Sequence, residues 1–174
     1  MMNRKSNLCI YHGPGCLDGF MASWVVRLAL TDNNVEFLAR DYQDPPPDLE
    51  LLRDRDVYIV DFSYKRDVLT QMAQVAKRVV VLDHHAGAEK ELSGLDDEIK
   101  SKYGLTNLVI WFDQTRSGAG LAWDWFSMMQ RRLYYYNTCK TTTCTHLHFP
   151  KVKRSMLHSF LTHSIIKNGM SLLG

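Results

Sequence analysis

Five short apolar runs recur along the first two thirds of the chain, each bounded by polar or turn-forming residues. They occupy residues 7–11, 35–39, 57–60, 79–82 and 108–112 and are rich in β-branched and aromatic side chains, so each reads as a strand. Between them the spacing changes to that of helices. Residues 20–30 carry apolar side chains almost all round (Met21, Ala22, Trp24, Val25, Val26, Leu28), which predicts a well-buried helix. Residues 65–77 place Val68, Leu69, Met72, Val75 and Ala76 at helical intervals. Residues 86–103 read as a mostly polar helix broken near Ser93-Gly94. Ser117 is placed to cap a last helix containing Leu121, Ala122, Trp123 and Phe126. Pro45-Pro46-Pro47 is a stiff linker, and Asp48 after it fits the cap of a short helix with Leu49, Leu51 and Leu52. Strand and helix thus alternate five times, which predicts a doubly wound α/β fold with a mostly parallel sheet of about five strands.

The polar residues that end these strands carry the candidate chemistry. The most apolar run, Val79-Val80-Val81-Leu82, stops on Asp83-His84-His85. Carboxylate and neutral imidazole are the usual ligands of Mn, Zn or Fe. A polar turn with solvated or helix-capping histidines explains the same three residues. His12 ends the first strand and Asp61 the third. In doubly wound sheets ligands bind outside the carboxyl ends of the strands, so His12, Asp61 and Asp83 are expected along one edge. As a structural alternative, Asp61 could cap the following helix, although Ser63 is better placed to do so. Trp111, Trp123 and Trp125 read as core.

Composition narrows the class. With 174 residues, 45% hydrophobic and 23% charged, the chain fits one globular domain with an appendage. No stretch has the ~18 consecutive apolar residues of a membrane span. The basic start, Met1-Met2-Asn3-Arg4-Lys5-Ser6, is not followed by a signal-peptide apolar region, so an intracellular, cytoplasmic location is expected. Cys9, Cys16, Cys139 and Cys144 match no zinc-knuckle spacing and are expected as reduced thiols. The net charge of +2 conceals an asymmetry: residues 1–124 hold all 19 acidic and 14 basic residues, and residues 125–174 hold seven basic and none acidic. Two domains are drawn on that break: residues 1–127, and a basic tail of irregular pattern at 128–174.

Three motifs stand in order: His12-Gly13-Pro14-Gly15-Cys16-Leu17-Asp18, Val57-Tyr58-Ile59-Val60-Asp61, and Leu82-Asp83-His84-His85. Glycines around the first permit a tight loop in which His12, Cys16 and Asp18 face one centre. A fourth segment, Ser117-Gly118-Ala119, opens the last helix. Together, over residues 7–127, they resemble the DHH phosphoesterase superfamily. The Cys16 variant of the first motif is similar to an exopolyphosphatase-like and oligoribonuclease-like subgroup. The resemblance implies a two-metal site, typically Mn²⁺: His12 would bind one ion with Cys16 close by, Asp18 and His84 the other, and Asp61 would bridge. Asp83 and His85 would orient ligands or contact the phosphate. It implies hydrolysis of phosphodiester or phosphoanhydride bonds in a nucleotide, short oligonucleotide or polyphosphate, by water activated between two ions and without a covalent enzyme intermediate. Cys16 is a soft donor beside hard ones, so it either stands near the ion without binding it or shifts selectivity toward softer ions.

The resemblance is incomplete. Members usually carry a fourth Asp beyond the Ser-Gly-Ala helix, and here the last acidic residue, Asp124, falls within that helix. They also usually carry a C-terminal substrate domain, which residues 128–174 do not resemble. The break near Ser127 is expected to mark a truncated or shifted reading frame, or a variant transcript. The alternative function is a catalytically incomplete protein that binds a metal, nucleotide or RNA without turnover. The tail's seven basic residues and Tyr134-Tyr135-Tyr136 fit contact with nucleic acid, and His146 and His148 a weak metal pair, although a poorly packed or partner-covered tail explains the same composition.

Overall fold

In the computed structural model, residues 5–30 and 34–139 are described, with side chains through Gln130. The chain divides into two compact units, Met1–Leu133 and Tyr134–Gly174, and the fold and site described below belong to the first. Its elements alternate as the apolar pattern predicts: β1 (Asn7–His12), α1 (Leu17–Ala29), β2 (Val35–Arg40), α2 (Leu49–Leu52), β3 (Asp56–Val60), α3 (Arg66–Val75), β4 (Arg78–Asp83), α4 (Ala86–Leu92), α5 (Leu95–Tyr103), β5 (Leu108–Phe112) and α6 (Gly118–Cys139). The boundary drawn at Ser127 falls inside α6. Residues Lys140 to Gly174, with the expectations for His146 and His148, lie outside the described residues.

The five strands form one sheet in the order β2-β1-β3-β4-β5, and every pairing is parallel. Side chains alternate between its faces. Leu8, Ile10, Val57, Ile59, Val79, Val81 and Leu108 pack with Leu52 of α2, Leu69 and Met72 of α3, Leu92 of α4 and Ile99 of α5. Tyr58 and Trp111 point the other way and meet Phe126 and Trp125 of α6. The central strands are covered on both faces, which is why β4 is apolar at every position between its ends.

The helix ends obey local chemistry in part. Asp48 accepts from the Glu50 amide at the start of α2, and Ser117 from the Gly120 amide at the start of α6, as their positions predict. Ala86 to Tyr103 breaks at Ser93-Gly94, where Gly94 takes the left-handed conformation with φ 74°. Neither Asp61 nor Ser63 caps α3; its N-cap is Lys65, which makes no side-chain capping bond.

Two expectations about apolar residues are corrected. Helix α1 is not buried all round. Its sheet face is the small-residue row Gly19, Ala22, Ser23 and Val26, while Leu17, Phe20, Met21, Trp24 and Leu28 are exposed. Small residues let α1 lie close to β1: a Cβ on Gly19 would collide with the His12 carbonyl. Of the three tryptophans expected in the core, Trp125 is core and Trp111 on β5 is partly buried, while Trp123 is exposed because nearby α6 residues cannot all face the sheet.

Candidate metal centre

The direction of winding makes the site. From β1 the chain turns through α1 to β2 on one side; from β3 it turns through α3 to β4 on the other. The crevice of such a sheet opens where those directions diverge, here between β1 and β3. His12 ends β1 and Asp61 follows β3, on neighbouring strands about 4.8 Å apart. The loop after β1 returns through Gly15, at φ 97°, and delivers Cys16 and Asp18 at the start of α1. Beyond β3 lies β4, which ends on Asp83, and His84 and His85 follow it.

Asp61 is the centre of the group. It is 1% exposed and adopts φ 63°, a left-handed conformation that Asp tolerates better than most residues. Its two oxygens face different partners. Oδ2 accepts the Cys16 thiol at 3.3 Å and lies 3.6 Å from His12 Nδ1. Oδ1 lies 3.1 Å from His84 Nε2, which is also 3.8 Å from Asp18 Oδ2. Two ligand sets share Asp61, His12–Cys16–Asp61 and Asp18–Asp61–His84, and Asp83–His84–His85 form a third, each with donor atoms within 4.8 Å of one another.

Several of these atoms lack the partners that burial normally demands. His12 Nδ1, Asp61 Oδ1 and Asp83 Oδ2 are buried and form no hydrogen bond of acceptable geometry. Burial pushes the Asp61 carboxyl above the usual carboxylate range, and the charge of Asp18 adds to the rise. The Cys16 thiol, His84 and His12 pull the other way without offsetting it. A cation between these donors would relieve both the repulsion and the unmet acceptors, so the residues present fit a divalent metal.

The surrounding residues orient this group. Asp18 accepts the Gly118 and Ala119 amides at 2.8 and 2.9 Å, so the N-terminus of α6 holds its carboxylate. Asp83 is fully buried; its Oδ1 accepts the His84 amide at 2.7 Å and lies 2.6 Å from His85 Nδ1, fixing that ring. His85 occupies the N-cap position of α4, but its side chain does not cap the helix. Asp124, the last acidic residue, pairs with Arg116 at 2.6 Å.

The structure therefore brings His12, Cys16, Asp18, Asp61, Asp83, His84 and His85 to one edge of the sheet. It also adds two residues that sequence reasoning missed. Asp41 lies 3.8 Å from His12 Nε2. The Tyr42 hydroxyl is 3.3 Å from His85 Nδ1, and its ring stands edge-on to His12 and His85. Desolvation, followed by the charges of Asp83, Asp61 and Asp41, holds the Tyr42 phenol protonated well above its ordinary range. Both residues follow β2, whose last residue Arg40 pairs with His12. Only the β1–β2 adjacency marks them, because Asp41-Tyr42 within a polar loop carries no signal of its own.

No protein-family model matches the chain. An uncharacterised protein of Acanthamoeba polyphaga mimivirus is similar to it, 28% identical over 132 residues. That match takes in 69% of this chain and 29% of the relative, so the chain matches less than a third of the relative's length.

Proposed function

We propose that the chain is a metal-dependent phosphohydrolase of the DHH type, holding two divalent ions, Mn²⁺ by preference, and cleaving phosphodiester or phosphoanhydride bonds. The observation that carries the reading is the division of Asp61: one buried carboxylate presents each oxygen to a separate set of ligands. His12, Cys16 and Asp61 would hold one ion; Asp18, Asp61 and His84 the other. When bound, such a pair supplies Lewis acidity to a phosphoryl group and lowers the pKa of water. The chain's own residues do the positioning. Asp83 holds His85, whose half-exposed ring faces outward beside Tyr42. His85 would contact the phosphate and Tyr42 would donate a hydrogen bond near it. The α6 amides hold the Asp18 carboxylate in place. The substrate class is a nucleotide, a short oligonucleotide or a polyphosphate.

The test is Mn²⁺-dependent hydrolysis of a dinucleotide, pyrophosphate and tripolyphosphate by the full chain. His84→Ala and Asp61→Asn should each lower turnover by at least about a hundredfold, since even supporting residues of metal sites cost tenfold to a hundredfold. Asn is chosen because it tolerates the left-handed backbone of Asp61. Full activity in either variant, with its circular dichroism unchanged, would overturn the assignment. A second reading, metal or nucleotide binding without turnover, is favoured by one observation: Asp124 of α6 is engaged by Arg116, just before that helix. Under that reading the chain binds Mn²⁺ and hydrolyses none of the three substrates.

A further inference from the structure

We infer that the two halves of this centre prefer different metals: the His12–Cys16–Asp61 set takes a thiophilic ion such as Zn²⁺ or Co²⁺, and the Asp18–Asp61–His84 set a hard ion such as Mn²⁺. This rests on the metal-centre reading above and goes beyond it, because that reading treats both positions as Mn²⁺.

The donor atoms make the distinction. The first set offers imidazole nitrogen, sulfur and one carboxylate oxygen; the second offers two carboxylates and one imidazole. Sulfur selects Zn²⁺ and other soft or borderline ions, whereas carboxylates suit Mn²⁺ and Mg²⁺. The spacing agrees. Tetrahedral bonds of about 2.3 Å to sulfur and 2.0–2.1 Å to nitrogen or oxygen set sulfur and oxygen about 3.5–3.6 Å apart and nitrogen and oxygen about 3.3–3.4 Å apart, each within about 0.3 Å of the separation found here. Cys16 Sγ stands 3.3 Å and His12 Nδ1 3.6 Å from Asp61 Oδ2. The Cys16 thiol donates to Asp61 Oδ2, so sulfur and oxygen already face one another across the position an ion would take. His12 Nδ1 lies beside the same oxygen, buried without a hydrogen bond. On the other side, the α6 amides bind Asp18 and leave lone pairs on both its oxygens. Asp61 joins the halves while keeping them chemically distinct.

The experiment uses the reduced full chain, stripped of metal by chelation. Titrated with Co²⁺, it should develop a near-ultraviolet sulfur-to-cobalt charge-transfer band that saturates at one equivalent. Cys16→Ser should abolish the band. Cys16 is the N-cap of α1 and its sulfur accepts the Gly19 amide; serine is a strong N-cap, so the helix start is preserved. The variant should lose about tenfold or more in Zn²⁺ affinity and change less than about twofold in Mn²⁺ affinity at the other position, as the softness of the ligand dictates. Chain preloaded with one equivalent of Zn²⁺ and then given Mn²⁺ should hold one of each by elemental analysis, with the manganese seen by electron paramagnetic resonance. Two cobalt ions bound without the band, or a band that survives Cys16→Ser, would overturn the inference and leave the metal-centre reading standing. A chain that binds neither Co²⁺ nor Mn²⁺ would overturn both.

Discussion

Asp61 shows how much chemistry one residue's backbone can decide. At φ 63° the chain turns off the end of β3 into the crevice, and the carboxylate sits where β1, β4 and α6 converge. Gly118 is the counterpart that makes room. A Cβ there would lie 2.5 Å from Asp61 Cβ and closer still to its Oδ1. Gly118→Ala is therefore expected to displace either Asp61 or the start of α6, which also holds Asp18. We expect a stability loss of about 1–3 kcal/mol, the usual cost of overpacking. Metal affinity should fall at both positions together, because Asp61 belongs to both. Denaturant unfolding and metal titration check this; an unchanged affinity would mean that the two halves do not share Asp61. The glycine was legible in the sequence as part of Ser117-Gly118-Ala119, but its physical purpose needed the distance to a residue 57 positions earlier in the chain.

Helix α1 is the element whose sequence misleads most. Its apolar residues cover nearly the whole circumference, yet the sheet takes only the row through Gly19, Ala22, Ser23 and Val26. Close approach to β1 requires small side chains, so the large ones are left facing outward. Trp24 packs near the Arg27 guanidinium, 5.9 Å from its ring centre, and not in the core. The two faces should respond differently to substitution. Val26→Ala should cost about 2 kcal/mol, as expected for truncation in a packed core. Trp24→Ser should cost less than about 1 kcal/mol, the scale of an exposed cation–π contact. Equal costs in thermal or denaturant unfolding would mean that the outer face of α1 is covered in solution.

At the scale of the whole molecule, the site and the fold are coupled. The centre draws on β1, α1, β3 and β4, so an ion bound there joins segments distant in sequence. An ion that binds the folded chain and not the unfolded one stabilises by about 2.7 kcal/mol at a hundred times its dissociation constant. For a domain of this size that corresponds to a rise in melting temperature on the order of 10 °C. Saturating Mn²⁺ should produce this shift and a chelator should reverse it. His84→Ala, which leaves the apolar core intact, should reduce it. An unshifted melting temperature would mean that these donors do not close on an ion.

The sequence by itself determined the alternation of elements, the parallel sheet and the strand ends on which His12, Asp61 and Asp83 stand. Those features follow from local rules: apolar runs of strand length, helical spacing between them, and polar residues where a buried strand must stop. It also named Cys16, Asp18, His84 and His85 through motif spacing. The tertiary structure decided which oxygen of Asp61 faces which partners, because that depends on a backbone angle and on the register between β1, β3 and β4. It decided that Asp18 is held by the α6 amides, that Asp83 fixes His85, and that Asp41 and Tyr42 join the group from the end of β2. It also decided which apolar residues of α1 and α6 are core. Each of these is a matter of neighbours across the sheet, and no local pattern encodes a neighbour that only strand order supplies.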